Sequence, residues 1–267
     1  MKNRRLIFSL FYEDGYFIQS RNFRRQAVGD IEWLRSNYGF SQIASAVDEL
    51  MIFNISHSSS KRSREKFYRD AATLGEQFFA PIAIGGSIAT MDDALAALRI
   101  GAEKVIVNSA LTTNPVGVSE ICAALGSQAV IASVDIRYTA QKYSAFINHG
   151  KTIVPTRLPN YLSSILQLGV GELLLNSIDQ DGTGMGFDLQ LPGLVPTSCE
   201  APIILMGGAG TIEHLSQGLS CPEVDGVATG NLFNFIGDGL PTARRQLIAD
   251  GHPLANFQVV DIPMSSI

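Results

Sequence analysis

Cysteine is scarce in this chain. Its three cysteines, Cys122, Cys199 and Cys221, are scattered among 267 residues, too few and too far apart for a disulfide framework or a cysteine-based metal knuckle. That usage predicts a reducing, cytoplasmic setting. Histidine is equally thin. His57, His149, His214 and His252 show no ligand-like spacing and no serine or cysteine triad can be read, so neither a metal nor a cofactor is expected. No apolar run approaches the ~20 residues of a membrane span, and Met1 to Leu10 lacks the apolar stretch and cleavage site of a signal peptide. An excess of base is missing too. With 20 Lys and Arg against 25 Asp and Glu, the formal net charge is −5, which argues against the basic face that non-specific nucleic-acid binding needs. Tryptophan occurs once, as Trp33, and it and the phenylalanines are read as packing. Membrane and nucleic acid are thus not expected partners.

What is present is a repeat. Ala80-Pro81-Ile82-Ala83-Ile84-Gly85-Gly86-Ser87-Ile88 returns as Ala201-Pro202-Ile203-Ile204-Leu205-Met206-Gly207-Gly208-Ala209-Gly210. Each copy is followed by a helix start and a second apolar run, at Lys104–Ser109 and Asp225–Gly230. Pro81 and Pro202, and likewise Lys104 and Asp225, are 121 residues apart, close to half the chain.

Near-continuous apolar runs, the mark of parallel strands buried on both faces, occur at 5–10, 48–53, 81–84, 104–107, 129–134, 172–176, 202–205 and 226–229. Helical patterns fall at 30–38, 60–74, 90–99, 115–125, 160–168, 212–218 and 241–250. Thr90 and Thr211 each precede acidic residues and read as N-caps. Eight strands alternating with helices predict a (β/α)8 barrel, favoured over an open doubly wound sheet because an internal two-fold repeat favours closure. No linker divides the chain, so residues 1–267 are expected to form one barrel with half-barrel repeats of about 1–125 and 126–267. The stretches 12–29 and 136–159 are expected as irregular loops on the C-terminal face, where barrel active sites sit.

Glycine loops can aim backbone N–H groups at an anion, or can be tight turns and nothing more. Two at matched positions favour phosphate binding, at Gly85, Gly86 and Ser87 with Asn108 and Ser109, and at Gly207 and Gly208 with Thr229, Gly230 and Asn231. Asp135 closes the fifth strand run, a position suited to acid–base chemistry. Asp179 and Asp181 follow the sixth, before Gly182 and Thr183, where an acid–base role and an ordinary Asx turn are both open. Arg5, Glu49, Lys104 and Glu172 open strands one, two, four and six. Spacing alone leaves them as solvated strand ends or as a ring of ion pairs. His214 reads as a helix-surface residue.

Taken together, Asp14-Gly15, Asp48-Glu49-Leu50, Gly85-Gly86-Ser87-Ile88, Gly101 to Val105, Asn108-Ser109, Asp179 to Thr183 and Gly207 to Thr211 resemble the cyclase subunit of imidazole glycerol phosphate synthase over nearly the whole chain. The resemblance implies a barrel that binds a ligand bearing two phosphates, with Gly182 and Thr183 among the phosphate-binding residues. It implies a glutaminase subunit on the N-terminal face, whose ammonia crosses the barrel axis to the C-terminal face. The family's channel gate matches Arg5, Glu49, Lys104 and Glu172, and its acidic residue facing the glutaminase falls on Glu103.

The catalytic end departs from that pattern. The family's catalytic aspartate on strand one falls on Phe11, its loop-one lysine on Gln19 and its aspartate ending strand two on Asn54, while Asp135 matches the surviving partner. Losing one member of an acid–base pair typically costs a factor of ~10²–10⁴. Similar barrels in surface-polysaccharide gene clusters supply ammonia for amidating a nucleotide-linked sugar, with a separate amidotransferase making the transfer. That is the role expected here. A divergent cyclase of histidine biosynthesis and a non-catalytic activator of the glutaminase are the alternatives, the last to be tested by plugging the axis at Val107.

Overall fold

The computed structural model describes residues 3–37, 43, 46–57, 60–76, 78, 80–230 and 239–257. Eight parallel strands close on themselves in the order β1 (Arg5–Glu13), β4 (Glu49–Asn54), β5 (Ile82–Gly85), β6 (Lys104–Val107), β7 (Val130–Thr139), β10 (Glu172–Ser177), β11 (Ile203–Met206) and β12 (Val224–Thr229), which returns to pair with β1. Helices such as Lys61–Gly75, Met91–Arg99 and Ile212–Ser220 lie between them, and the whole is a (β/α)8 barrel. Thr90 caps Met91–Arg99 in a capping box with Asp93, and the Thr211 hydroxyl accepts from the His214 N–H at the start of Ile212–Ser220. Both caps fall where the sequence pattern put them. Tyr38 and Asn231 lie outside the described residues. No helix among the described residues is long and apolar enough to cross a membrane.

Two cores result from the alternation of side chains along each strand. Leu6, Leu50, Val105, Val107, Val130 and Leu173 point outward and pack under the helices. Ile7, Met51, Ala83, Ile106, Ile131, Leu174, Ile204 and Ala228 point inward and fill the barrel. This corrects one expectation. Val107 belongs to the outer core, and the β6 residue that meets the axis is Ile106, because the side-chain period of a strand is two.

The stretches 12–29 and 136–159 are not irregular. β1 runs on to Glu13, turns at Asp14-Gly15 and returns as β2 (Tyr16–Arg21), which pairs antiparallel with β3 (Arg24–Gly29). β7 likewise runs to Thr139, turns at Ala140-Gln141 and returns as β8 (Lys142–Ile147), flanked by the short β9 (Thr152–Ile153). The paired positive φ values of the two turns, 47° and 102° for Asp14-Gly15 and 47° and 60° for Ala140-Gln141, match the twist of two-residue hairpins. These hairpins stand above the C-terminal mouth of the barrel and shape what can enter it.

Candidate functional site

At the N-terminal end the strand starts bring four charges together. Arg5 Nη1 and Lys104 Nζ both reach Glu49 Oε2, at 2.8 and 2.9 Å. Arg5 Nη2 meets Glu172 Oε2 at 2.7 Å, and Lys104 Nζ meets Glu172 Oε1 at 2.8 Å. The ring closes in alternating sign. Burial pushes the Glu49 carboxyl above its ordinary range against the opposing charges of Lys104 and Arg5. Burial acts on Glu172 too, but the hydrogen bond and charge of Arg5, reinforced by Lys104, outweigh it and hold that carboxyl low. Glu103 is exposed beside the ring.

Each ring residue begins an inward-facing ladder. On β1 it runs Arg5, Ile7, Ser9, Phe11; on β6 and beyond, Lys104, Ile106, Asn108; on β10, Glu172, Leu174, Asn176. An apolar layer therefore separates the charges from the polar mouth.

At that mouth lies a cavity of about 340 Å³. Gly86, Ser87, Asn108 and Ser109 line one side, Asp135, Asn176 and Ser133 the floor, and Phe11, Phe53 and Asn54 another wall. Asp135 accepts from Asn176 Nδ2 at 2.8 Å and from Asn108 Nδ2 at 3.1 Å. Burial raises its carboxyl to about 6, although those two hydrogen bonds pull the other way. A carboxyl poised there can take up or release a proton near neutrality. His149 also lines the cavity and meets His57 edge-on at 4.7 Å between ring centres. Burial first, then the charge of Arg25, lower the His149 imidazole to about 4.

A second cavity, of about 30 Å³, is lined by Gly182, Gly207, Gly208, Thr229 and Gly230, with Gln19 and Asp181. Asp181 accepts hydrogen bonds from the Ser20 hydroxyl and, at 2.9 Å, from the Phe23 N–H. Burial raises its carboxyl. Asp179 accepts from the Tyr138 N–H at 2.8 Å. The two aspartates thus hold the β2–β3 and β7–β8 hairpins in place. Thr183 closes its own turn by donating to Gln180 O at 2.8 Å. Gly85 sits below the mouth, where a Cβ would come within 3.1 Å of Phe53 and Ile106.

The structure so brings Asp135, Gly86, Ser87, Asn108 and Ser109 to one cavity and Gly182, Gly207, Gly208, Thr229 and Gly230 to another. Sequence reasoning missed Asn176, Ser133, Phe53, Met206, Arg25 and His149. Asn176 and Ser133 could have been found by counting two residues at a time from Glu172 and Ile131. Arg25 lies on β3 and His149 in the turn between β8 and β9, segments that carry no continuous apolar run. His214 is more than a surface residue, since its Nδ1 accepts from the Gly210 N–H at 3.2 Å and steadies the second glycine loop. Among the described residues no group of three or more His, Cys, Asp or Glu could hold a metal ion.

Fold and site define a (β/α)8 barrel with a buried carboxylate beside glycine loops at one end and a four-charge ring at the other. The chain belongs to the family described as histidine biosynthesis protein, whose model matches residues 37–237, and within it is HisF-like. It is 41% identical over 246 residues, 92% of this chain and 91% of the relative, to a "Putative imidazole glycerol phosphate synthase subunit hisF2" of Parasynechococcus marenigrum. It is 31% identical over 256 residues, 95% of this chain and 99% of the relative, to an imidazole glycerol phosphate synthase subunit HisF of Chlorobium limicola. The corresponding subunit of Chloroherpeton thalassium is 35% identical over 188 residues, 70% of this chain and 74% of that one.

Proposed function

We propose that this chain is the barrel subunit of a glutamine-dependent synthase, which takes ammonia from a glutaminase subunit at its N-terminal face and passes it along the barrel axis. The observation that carries this reading is the closed ring of Arg5, Glu49, Lys104 and Glu172. Charges buried at strand starts are costly unless paired, and a ring closing the axis gives them a purpose. Glu49 Oε1 has no partner among the described residues and can accept from the N–H of a passing ammonia. Glu103 would face the glutaminase. The apolar layer above suits a small neutral molecule better than a hydrated ion.

Released ammonia serves, in this reading, the amidation of a sugar in surface-polysaccharide synthesis, with a separate amidotransferase making the transfer. Phe11 supports it, because a phenyl ring in place of an acid cannot move a proton. The barrel is also read as two half-barrels, 1–125 and 126–267. Support comes from β5 and β11, each four residues long, and from the nine-residue helices capped by Thr90 and Thr211.

Reconstitution with a glutaminase partner should give stimulated glutamine hydrolysis, yet no turnover of the histidine-pathway bisphosphate substrate with ammonium salt. Robust conversion of that substrate would overturn the reading. Asp135, raised to about 6, favours the second one, a divergent cyclase of histidine biosynthesis acting through this carboxyl. Rescue of a histidine auxotroph would establish it. A scaffold that only activates the glutaminase predicts unchanged product formation after Ile106→Trp plugs the axis.

A further inference from the structure

Folded proteins expose some large apolar side chains singly, but in this chain they gather at one end. Among the described residues, Tyr16, Val116, Tyr138, Ile153, Met185 and Leu189 are exposed in segments that follow the C-terminal end of a barrel strand, and only Phe257 lies elsewhere. Four of the six, Tyr138, Ile153, Met185 and Leu189, belong to two neighbouring segments of the rim. We propose that this rim, formed by the β7–β8 hairpin, β9 and the loop at 185–190, is a docking surface for the enzyme that consumes the ammonia, which seats an acidic face over the C-terminal mouth. This rests on the reading of the chain as an ammonia supplier.

Contacts join the two segments. The Tyr138 ring stands edge-on to that of Tyr143 at 5.0 Å. The Tyr143 hydroxyl lies 3.2 Å from Asp188 Oδ1 and 3.3 Å from Gln190 Oε1, on either side of Leu189. The hairpin is also apolar on both of its faces. Tyr138 pairs with Tyr143 across the two strands, while Phe146, on the opposite face, pairs with Ile153 and carries the Arg137 guanidinium over its ring at 5.0 Å. An antiparallel pair with one face on the core and the other in water should alternate apolar with polar. Here neither face turns polar where it leaves the core, since Tyr138 is 55% exposed, Ile153 47% and, beside them, Leu189 43%. Tyrosine and arginine are also residues that protein interfaces favour.

Charge selects the occupant. Residues 136–159 hold Arg137, Lys142, Lys151 and Arg157 and no Asp or Glu, in a chain whose net charge is −5. The acids bordering the hairpin are engaged, Asp179 with Arg137 at 3.8 Å and with the Tyr138 N–H, and Asp188 with Tyr143. Lys142, Lys151 and Arg157 stay exposed. A second copy of the chain, meeting this face across a two-fold axis, would set those bases against themselves, whereas an acidic partner would pair them. Position points the same way. β7 runs from Asp135 at the mouth straight into the hairpin, and ammonia released there into neutral water is protonated and ceases to be a nucleophile. A partner seated on the rim receives it before that happens.

The test uses the full chain in complex with its glutaminase, together with the separate sugar amidotransferase. Binding of that amidotransferase is read by calorimetry, and amidated sugar is measured with glutamine and with ammonium salt. Tyr138→Ser with Leu189→Ser, and separately Lys142→Glu with Lys151→Glu, should each weaken binding ~10-fold or more, with circular dichroism melts unchanged. Glutamine-driven amidation should fall in step, while ammonium-driven amidation and glutaminase stimulation hold. Val116→Ser, at a side chain 68% exposed outside this part of the rim, should change none of these, and added salt should weaken the natural complex. Absence of binding by the natural complex, binding that survives the tyrosine and leucine changes, or an equal loss in Val116→Ser overturns the surface. Binding that survives the charge reversals overturns the acidic partner. Self-association of the natural chain in sedimentation, abolished by Tyr138→Ser with Leu189→Ser, makes a second copy the occupant and also overturns the proposal. Amidation with ammonium salt but none with glutamine in the natural complex overturns the ammonia-supply reading, and the surface with it.

Discussion

Asn176 donates from Nδ2 to Asp135 Oδ1 at 2.8 Å, with both side chains buried at the top of the barrel. One residue of β10 therefore holds the carboxyl of its neighbour β7, and burial sets that carboxyl near 6 against an ordinary 3.8. A carboxyl raised by folding stabilises the protein below its unfolded value, and that contribution is lost as pH rises through the folded one. Asp135→Asn removes the titration. Its stability relative to the natural chain, from urea unfolding, should rise by about 2 kcal/mol between pH 4 and pH 7.5. A flat or falling difference would contradict the assignment.

The Asp181 clamp makes a prediction about mobility. Asp181→Ala removes the acceptor for Ser20 and the Phe23 N–H, and leaving these unpaired should cost about 1–3 kcal/mol. The effect should be local, with amides of 20–23 exchanging faster and trypsin cutting more readily after Arg21 and Arg24. Gly182→Ala should act in the same way, because φ is 65° there and its Cβ meets Ser20 O.

The ring should be unforgiving of single changes. Arg5→Met leaves Glu49 and Glu172 with Lys104 alone and should destabilise by about 2–4 kcal/mol, discounted because the Arg5 side chain is 21% exposed. Adding Glu172→Gln should recover part of that loss, read as a coupling energy in a double-mutant cycle. Additive effects would mean that the pair does not interact.

A second buried pair fastens the helix Gly239–Ala249 to the barrel. Arg244 reaches Asp48 with both terminal nitrogens, at 3.0 and 2.9 Å, and also donates to Ala46 O at 3.1 Å. Asp48 in turn accepts from the Leu6 N–H at 2.8 Å. Arg244→Met strands that carboxylate, and a loss of about 3–5 kcal/mol in chemical denaturation is expected. Asp48→Asn, which keeps the shape, should cost less.

Much of the barrel could be read from the chain because parallel strands buried on both faces leave uninterrupted runs such as Leu173-Leu174-Leu175. The hairpins were missed for the opposite reason. β3 has no buried residue, so Arg24, Arg25 and Gln26 carry no apolar pattern. Asp14-Gly15 was nonetheless a turn signal. Ala140-Gln141 was not, since neither residue favours the left-handed backbone it adopts.

By itself, the sequence determined the order of the eight barrel strands and of the helices between them, the two threonine caps and the four charges that open their strands. These follow from local propensity and from a side-chain period that any segment carries within itself. Only the tertiary structure decided that the four charges pair into a closed ring, that Asn176 meets Asp135 and that the second glycine loop lies under a hairpin. Those outcomes depend on which residues distant in the chain arrive at one end of a closed barrel. Phe11 lines both cavities and Asp181 ties the β2–β3 hairpin beside the second, placements that no local pattern contains.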